Sequence, residues 1–365
     1  MDYPARRRQS IVDTLGGDGP DALLVRSATN VTYLTGFSGD STSLLLARDR
    51  ALIVSDSRYT EQIAEECPGL DAAIRPPAQA PLGFLAATIR AFGVRSLGIE
   101  SDHVTVTEYE ALRHELPAVE WRLECNRVES LRAVKDDGEI AAIREAVAIA
   151  ERAFTAFRAL LCPDDREKEL HDEMESLVRR AGGKCSSFPP IVAVGARAAL
   201  PHAPPSDKSI GEGDHVLIDW GASGRFYKSD LTRVLAIRNI SPKLQEVYGV
   251  VLRAQAAALR ALRPGAVAKD VDAEARAVIA RAGFGDFFGH GLGHGIGLEV
   301  HEAPSLRATS EAVLQPGNVV TVEPGIYLPG WGGVRIEDDV LITPDGYEVL
   351  TSAPKELASM VVLAE

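Results

Sequence analysis

Three histidines lie close together in the glycine-rich segment FFGHGLGHGIGLEVHEAP, residues 287–304, and their ring nitrogens could bind a metal ion or a substrate. Glycine occupies every second position from 289 to 297, which disfavours a helix because each glycine costs about 1 kcal/mol there. In an extended chain His290 and His294 share one face, and the bare opposite face lets another backbone or a ligand approach closely. We predict that His290, His294 and His301 point into a site; the alternative is a glycine-rich loop with incidental histidines.

Two aspartates flank a predicted β-hairpin in the segment HVLIDWGASGRFYKSDLTRVLAI, residues 215–237. If the turn is centred between Gly224 and Arg225, Asp219 and Asp230 oppose each other on one face of the ladder, with Cβ atoms about 4.5–5.5 Å apart. Opposed like charges destabilise a sheet unless a cation or a shared proton neutralises them. The alternative is an off-centre turn that leaves both aspartates facing solvent.

Further carboxylates interrupt two apolar, β-rich segments. Glu323 closes an apolar run in NVVTVEPGIYLPG, and in GGVRIEDDVLIT the residues Arg335, Glu337 and Asp339 occupy alternate positions. Burying a carboxylate in such a strand is costly unless it is paired or bound to a metal. Taken alone, each of these residues is more often a solvated strand residue.

Taken together, the candidate groups are four carboxylates and one imidazole. Such a set suits two divalent cations about 3.5–4 Å apart. Oxygen-rich ligands favour Mn²⁺ or a similar ion over a structural zinc held by thiolates. The candidate metal ligands are Asp219, Asp230, His294, Glu323 and Glu337.

The elements that must position these groups are of the α/β (α+β) class. Strands are predicted at DALLVRS, RSLGIE and VEWRLE, a hairpin around residues 48–50, and helices at the N-terminus and at SRYTEQIAEEC, GFLAATIRAFG and TEYEALRHEL. A six-turn apolar stripe from Ile140 to Leu161 predicts a packing helix. Further helices are expected from about 164 to 180, 242 to 262 and 268 to 282, among short strands. We predict two domains, residues 1–130 and 131–365.

Composition excludes several classes of protein. The net charge of −13 argues against nucleic acid as a partner, because phosphate binding needs a basic surface. No apolar run approaches the roughly 20 residues that span a membrane, and the N-terminus lacks the apolar core of a signal peptide, so we expect a cytoplasmic protein. The four cysteines are far apart, which argues against a disulfide framework or a zinc knuckle.

The motifs, in this order, resemble those of the pita-bread metallopeptidase family, which includes methionine aminopeptidase, aminopeptidase P and prolidase. The family patterns D-x-G, S-D-x-T-R, H-x-x-G-H, E-P-G-x-Y and R-x-E-D match residues 219–221, 229–233, 290–294, 323–327 and 335–338. The segments NVTYLTGFSGD and SDSRYTEQ resemble the creatinase-like N-terminal domain of small bacterial aminopeptidase P. The resemblance implies that domain at residues 1–130 and a pita-bread catalytic domain at 131–365.

The resemblance also implies a metal centre. It implies two divalent metal ions, most of all Mn²⁺, with Co²⁺ or Zn²⁺ as alternatives, bridged by a hydroxide. Asp230 and Glu337 would bridge the ions, Asp219 would chelate one, and His294 and Glu323 would hold the other. Glu323 is in addition the implied proton acceptor.

Other residues are assigned to the substrate by the same resemblance. His202, in ALPHAPP, and His301, in VHEAP, fall where the family carries active-site histidines that steady the tetrahedral centre. His290, Tyr327 and Arg335 would orient the substrate or the ligands.

The implied activity is hydrolysis of the N-terminal Xaa-Pro bond of proline-containing peptides by a homodimeric Xaa-Pro aminopeptidase. A prolidase restricted to dipeptides is the first alternative, because the chemistry is the same and only the space beyond proline differs. A non-catalytic binding module is a more distant alternative, since such relatives usually lose metal ligands and all five are present here.

Overall fold

The computed structural model describes residues 2–363, and the chain divides into two units at the peptide bond between Arg132 and Ala133. Each unit contains its own sheet and its own apolar core. Among the described residues, no helix combines the length and the apolar character required to cross a bilayer.

The first unit is built on a mixed six-stranded sheet of order β4-β3-β2-β1-β5-β6. Its strands are β1 (Ala22–Val25), β2 (Ser43–Ala47), β3 (Ala51–Asp56), β4 (Asp71–Arg75), β5 (Ser96–Glu100) and β6 (Glu120–Glu124). Its helices are α1 (Tyr3–Val12), α2 (Ala28–Thr35), α3 (Thr60–Glu66), α4 (Pro81–Phe92), α5 (Val106–Glu115) and α6 (Arg127–Arg132).

Most of the first unit agrees with the sequence prediction. The hairpin around residues 48–50 is confirmed as the antiparallel pair β2–β3, and the predicted strands are β1, β5 and β6. Helix α2 was not predicted, because its sequence ATNVTYLT is short and rich in β-branched residues. It is stabilised by the Ser27 side chain, which accepts the Asn30 N–H, and by Asn30 itself, which donates to Glu100 inside the unit.

The second unit combines four helices with four small sheets, whose strand pairs are antiparallel except for the parallel pair β11–β19. The sheets have the orders β19-β11-β9-β8, β13-β12-β14-β17-β18, β10-β7 and β15-β16. The helices are α7 (Asp137–Leu160), α8 (Glu167–Arg180), α9 (Pro242–Ala261) and α10 (Ala268–Arg281). The strands are β7 (Cys185–Ser186), β8 (Ile191–Val194), β9 (His215–Trp220), β10 (Ala222–Ser223), β11 (Leu231–Ile237), β12 (Gly293–Gly295), β13 (Glu302–Leu306), β14 (Val319–Val322), β15 (Gly325–Leu328), β16 (Gly332–Arg335), β17 (Asp338–Thr343), β18 (Gly346–Val349) and β19 (Val361–Val362).

Helix α7 carries the predicted apolar stripe and holds β9 in place. A capping box between Asp136 and Glu139 begins the helix. Its buried face reaches Trp220 at the end of β9, where the indole stacks on Phe154 at a centroid distance of 4.3 Å and donates to the Ala150 carbonyl. Trp220 follows Asp219 directly, so this packing fixes the backbone of a predicted metal ligand.

The remaining predicted helices are present with small shifts. Helix α8 begins at Glu167 and not near residue 164, because Asp165 instead caps the preceding turn by accepting the Cys162 N–H. Helices α9 and α10 lie where the sequence predicted them.

Candidate metal centre and active site

All ten predicted site residues line one cavity of about 970 Å³ in the second unit. They come from the segment that follows residue 199, from β9 and the residue before β11, from the glycine-rich segment, and from the strands and connections between 319 and 343. The residues are His202, Asp219, Asp230, His290, His294, His301, Glu323, Tyr327, Arg335 and Glu337.

The predicted register between the two aspartates is wrong. In the β9–β11 ladder Asp219 pairs with Thr232, so Asp230 lies diagonally from Asp219 and not directly opposite it. The turn is off-centre because residues between the strands leave the ladder, and β10 pairs with β7 instead. Both aspartates are nevertheless buried and face the cavity, since positions two apart on a strand share a face.

Three of the five predicted ligands form a compact group that could hold a cation. Ligand atoms of Asp230, His294 and Glu337 lie within 4.8 Å of one another. Glu323 adjoins this group, with Oε1 3.3 Å from His294 Nε2. His294 Nδ1 donates to the Gly295 carbonyl at 3.0 Å, so Nε2 is the ring nitrogen directed toward the carboxylates, where it could bind a cation once the ring is neutral.

Asp219 lies beside this group and is oriented by a guanidinium. Its Oδ2 accepts from Arg335 at 2.5 Å. Its Oδ1 is buried and has no hydrogen-bond partner among residues 2–363. A buried carboxylate oxygen that accepts no hydrogen bond is suited to bind a metal ion.

A hydrogen-bonded chain connects Arg335 to His290 along the cavity wall. The Arg335 guanidinium donates to the hydroxyl of Tyr327 at 2.8 Å and to Thr232 Oγ1 at 2.9 Å. His290 Nδ1 donates to the Gly291 carbonyl, so its Nε2 accepts from the Tyr327 hydroxyl at 2.9 Å. Burial lowers the pKa of His290, which is consistent with this neutral ring. The chain thus fixes the orientation of all three side chains.

The electrostatics of the centre favour a bound cation. Burial and the neighbouring carboxylates raise the pKa of Asp230 and of Glu337 well above their usual values. Burial also raises the pKa of Asp219. Burial opposes ionisation of Glu323, but the adjacent His294 outweighs it and lowers the pKa of Glu323. Protein cations therefore compensate part of this carboxylate cluster, and divalent ions would compensate the rest.

Sequence reasoning missed two residues that support the centre. Asp339 is buried beside Asp230, whose N–H donates to Asp339 Oδ2 at 3.0 Å, and Asp339 Oδ1 has no partner among the described residues. Thr232 donates to Glu337 Oε2 at 2.6 Å while it accepts from Arg335. Both lay within the quoted segments, and the alternation of Arg335, Glu337 and Asp339 was a signal that could have placed Asp339 on the same side as the candidate ligands.

The close backbone approach predicted for the glycine-rich segment is confirmed at Gly293 and Gly295. A Cβ added at Gly293 would lie 2.0 Å from the Thr321 carbonyl oxygen, and one at Gly295 would lie 2.2 Å from that of Ala303. No atom comes within 4 Å of the corresponding position at Gly289. The glycines around His294 therefore let β12 fit tightly between β13 and β14.

The outer wall of the cavity is apolar and rich in proline, with a few polar groups. His171 of α8 lies in this wall, and its Nδ1 donates to the Pro190 carbonyl at 2.6 Å. Asp286 and Arg307 supply opposite charges to the lining. The apolar lining includes Phe188, Pro189, Pro190, Pro201, Phe287 and Val300.

Comparison with known proteins gives the family. Residues 141–344 match the metallopeptidase family M24, and residues 7–134 match the creatinase/prolidase N-terminal domain. The uncharacterized peptidase YqhT of Bacillus subtilis is 41% identical over 349 residues, which cover 96% of this chain and 98% of that protein. The Xaa-Pro dipeptidase from Bacillus anthracis has a solved structure that is 39% identical with a TM-score of 0.91, covering 98% of this chain and 99% of that one.

An X-Pro aminopeptidase from Thermotoga maritima has a solved structure that is 34% identical with a TM-score of 0.90, covering 98% of this chain and 100% of that one. The resemblance and the α/β fold class stated from the motifs are thereby confirmed. This chain belongs to metallopeptidase family M24, with a creatinase-type N-terminal domain in front of a pita-bread hydrolase domain.

Proposed function

We propose that this protein is an Xaa-Pro peptidase that removes the N-terminal residue from peptides whose second residue is proline. The observation that carries the proposal is the meeting of all ten predicted site residues around one cavity. The names of similar proteins, Xaa-Pro dipeptidase and X-Pro aminopeptidase, support the bond type.

The residues of the centre fit two divalent cations. Asp230, His294, Glu337 and Glu323 offer adjacent ligand atoms, and Asp219 offers a buried oxygen without a partner. Divalent cations in such a site supply Lewis acidity and a nucleophilic water at neutral pH. Mn²⁺ is our first choice, because the ligand set is mostly carboxylate.

The chain's own side chains would bind the substrate and move its proton. The Glu323 carboxylate lies beside His294. It would accept a proton from the attacking water and deliver it to the nitrogen of the leaving proline. His202 and His301 are exposed to the cavity and would donate hydrogen bonds to the developing oxyanion. Tyr327 and Arg335 would hold the peptide backbone from the opposite wall.

The cavity suits a proline-containing peptide that extends beyond two residues. An Xaa-Pro bond is a tertiary amide without an N–H, so it cannot be held as an ordinary strand, and an apolar wall offers the ring a surface instead. The volume of about 970 Å³ lies at the upper end of the roughly 300–1,000 Å³ usual for small-ligand sites. We therefore place aminopeptidase activity ahead of dipeptidase activity.

A dipeptidase is the second candidate, and Arg307 favours it. Its guanidinium lines the cavity and has no ion pair or side-chain hydrogen bond within the described part of the chain, so it could receive the carboxylate of an Xaa-Pro dipeptide. The homodimer implied by the family resemblance stays a prediction, and light scattering that shows monomer alone would contradict it.

The first experiment compares three substrates after removal of metal and addition of Mn²⁺: Ala-Pro, Ala-Pro-Ala and Ala-Pro-amide. Release of alanine from the tripeptide and the amide, followed by mass spectrometry, supports the aminopeptidase. Cleavage of Ala-Pro alone identifies a dipeptidase that needs the carboxylate. If no substrate is cut with any divalent ion, the binding-module alternative is favoured.

A further inference from the structure

We propose that a buried ion pair between Lys135 and Glu302 positions His301 in the cavity, an inference that rests on the peptidase function proposed above. Lys135 Nζ lies 3.1 Å from Glu302 Oε2. Glu302 begins β13 and directly follows His301, whose ring lines the cavity 4.4 Å from the ring of His294. Because His301 lies in the bend that directly precedes Glu302, anchoring the Glu302 side chain inside the fold restricts the positions that the His301 backbone and ring can take.

The carboxylate of Glu302 contacts the backbone of residues 296–301, here called the histidine loop. Oε1 accepts the Glu299 N–H at 2.9 Å. A Cβ added at Gly297 would lie 2.7 Å from Oε2, so the loop closes tightly on the carboxylate. The Gly297 carbonyl in turn accepts the Lys228 N–H at 2.9 Å. The loop conformation thus depends on a charged group at its centre.

Backbone hydrogen bonds fix Lys135 on the other side of the pair. Its N–H donates to the Gly317 carbonyl at 2.8 Å, and the Asn318 side chain donates to the Ala133 carbonyl at 2.8 Å. Gly317 and Asn318 immediately precede β14, the strand that runs to Glu323 and pairs with Gly295 of β12. One short segment therefore supports both the histidine loop and the strand that presents a predicted ligand.

Burial makes this pair different from the ion pairs on the surface. The side chains of Lys135 and Glu302 are 0% and 5% exposed, so water cannot replace the charge of either partner after it is removed. Lys269 and Glu311 also form an ion pair in this unit, at 2.6 Å, but they are 39% and 75% exposed. That pair is a matched control, because water can solvate either partner after the other is removed.

The test uses the full chain with the variants Lys135→Met, Glu302→Gln, the double variant, and Lys269→Met as control. In the metal-free protein, hydrogen exchange of the backbone amides of residues 296–302 is measured by mass spectrometry. We expect Lys135→Met to speed exchange in this segment by about tenfold or more, because local opening releases the loop. Lys269→Met leaves exchange there unchanged.

The Mn²⁺-loaded proteins are then assayed on the best Xaa-Pro substrate. We expect kcat of Lys135→Met to fall by about 10–100-fold with KM within about threefold, because a displacement near 1 Å of a catalytic group has effects of this size. Mn²⁺ bound per chain stays at the wild-type value. The double variant regains part of kcat, because it removes the carboxylate together with the cation that it contacts.

Unchanged loop exchange and kcat in Lys135→Met would overturn the proposal, even if its midpoint of unfolding falls, and so would loss of Mn²⁺ binding in parallel with kcat. If Lys135→Met does not fold, Glu302→Gln decides by the same two readouts. If the wild type cleaves no Xaa-Pro peptide, the proposed function fails, and the exchange measurement still decides whether the pair holds the loop.

Discussion

Two adjacent residues of β17, Asp338 and Asp339, are both buried but lie in opposite electrostatic surroundings. Asp338 accepts from Arg233 at 2.7 Å and contacts Lys355, and these charges outweigh burial and lower its pKa. Asp339 lies on the other side of the strand, where the N–H of Asp230 donates to its Oδ2, and burial raises its pKa to about 8. The fold therefore neutralises carboxylates on one face of the strand and leaves them for an external cation on the other.

The largest effect is expected on the cavity face. Asp230→Asn removes one negative charge from the centre at nearly constant shape, and it should lower kcat/KM by about 10³-fold or more and reduce Mn²⁺ binding, because a predicted metal ligand is lost. Calorimetric titration with Mn²⁺ and the Ala-Pro-Ala assay check both parts. Activity and metal affinity close to wild type would refute the assignment of Asp230.

The opposite face should respond in stability. Arg233→Met removes one of the two cations that contact Asp338. We expect the free energy of unfolding to fall by about 3–5 kcal/mol, which is typical of breaking a buried pair. The matched control is Arg144→Met, which removes a pair with Glu348 whose side chains are 43% and 44% exposed. That change should cost about 0–1 kcal/mol. Denaturant titration measures the free energy of unfolding of both variants. Equal losses in Arg233→Met and Arg144→Met would contradict the comparison.

The pH dependence of stability provides a further test of the difference between the two faces of β17. In the metal-free protein the raised pKa values of Asp230, Glu337 and Asp339 mean that the folded state binds protons which the unfolded chain has released. The free energy of unfolding should therefore fall as pH rises from about 4 toward 8. Metal binding requires deprotonated ligands, so Mn²⁺ should raise the midpoint of thermal unfolding more at pH 8 than at pH 5.

Thermal unfolding with and without Mn²⁺ at the two pH values measures this difference. Each 1 kcal/mol should move the midpoint by roughly 2–4 °C for a unit of this size. Asp230→Asn serves as the control, because it removes one of the titrating carboxylates. It should reduce the difference between the Mn²⁺-induced rises of the midpoint at pH 8 and pH 5. If the Mn²⁺-induced rise in the midpoint is the same or smaller at pH 8 than at pH 5, the interpretation that these carboxylates lack compensating cations is contradicted.

The sequence predicted which residues line the cavity better than it predicted their arrangement, for physical reasons. Each motif has a local cause, such as the tight approach at Gly293 or the carboxylate within an apolar, β-rich segment at Glu337, so its residue types can be recognised one segment at a time. The register that pairs Asp219 with Thr232 depends on where residues 221–230 leave the ladder. The pairing of Lys135 with Glu302 joins positions far apart in the chain, which no local pattern encodes.

The smallest expected effect concerns the hydrogen-bonded chain on the cavity wall. Tyr327→Phe removes the hydroxyl that donates to His290 and accepts from Arg335, so both side chains lose orientation while every predicted metal ligand stays. We expect kcat/KM to fall by about 10–100-fold with Mn²⁺ affinity nearly unchanged, as for other groups that orient a metal centre.

A matched control is Tyr248→Phe, since Tyr248 is also buried and its hydroxyl donates to the Lys355 carbonyl on the neutralised face. It should lose about 1 kcal/mol of stability and keep its activity. If Tyr248→Phe impaired cleavage as much as Tyr327→Phe, the two faces would not be functionally distinct. If Tyr327→Phe instead lost metal, the chain from Arg335 to His290 would be holding Asp219 for the ions and not the peptide for cleavage.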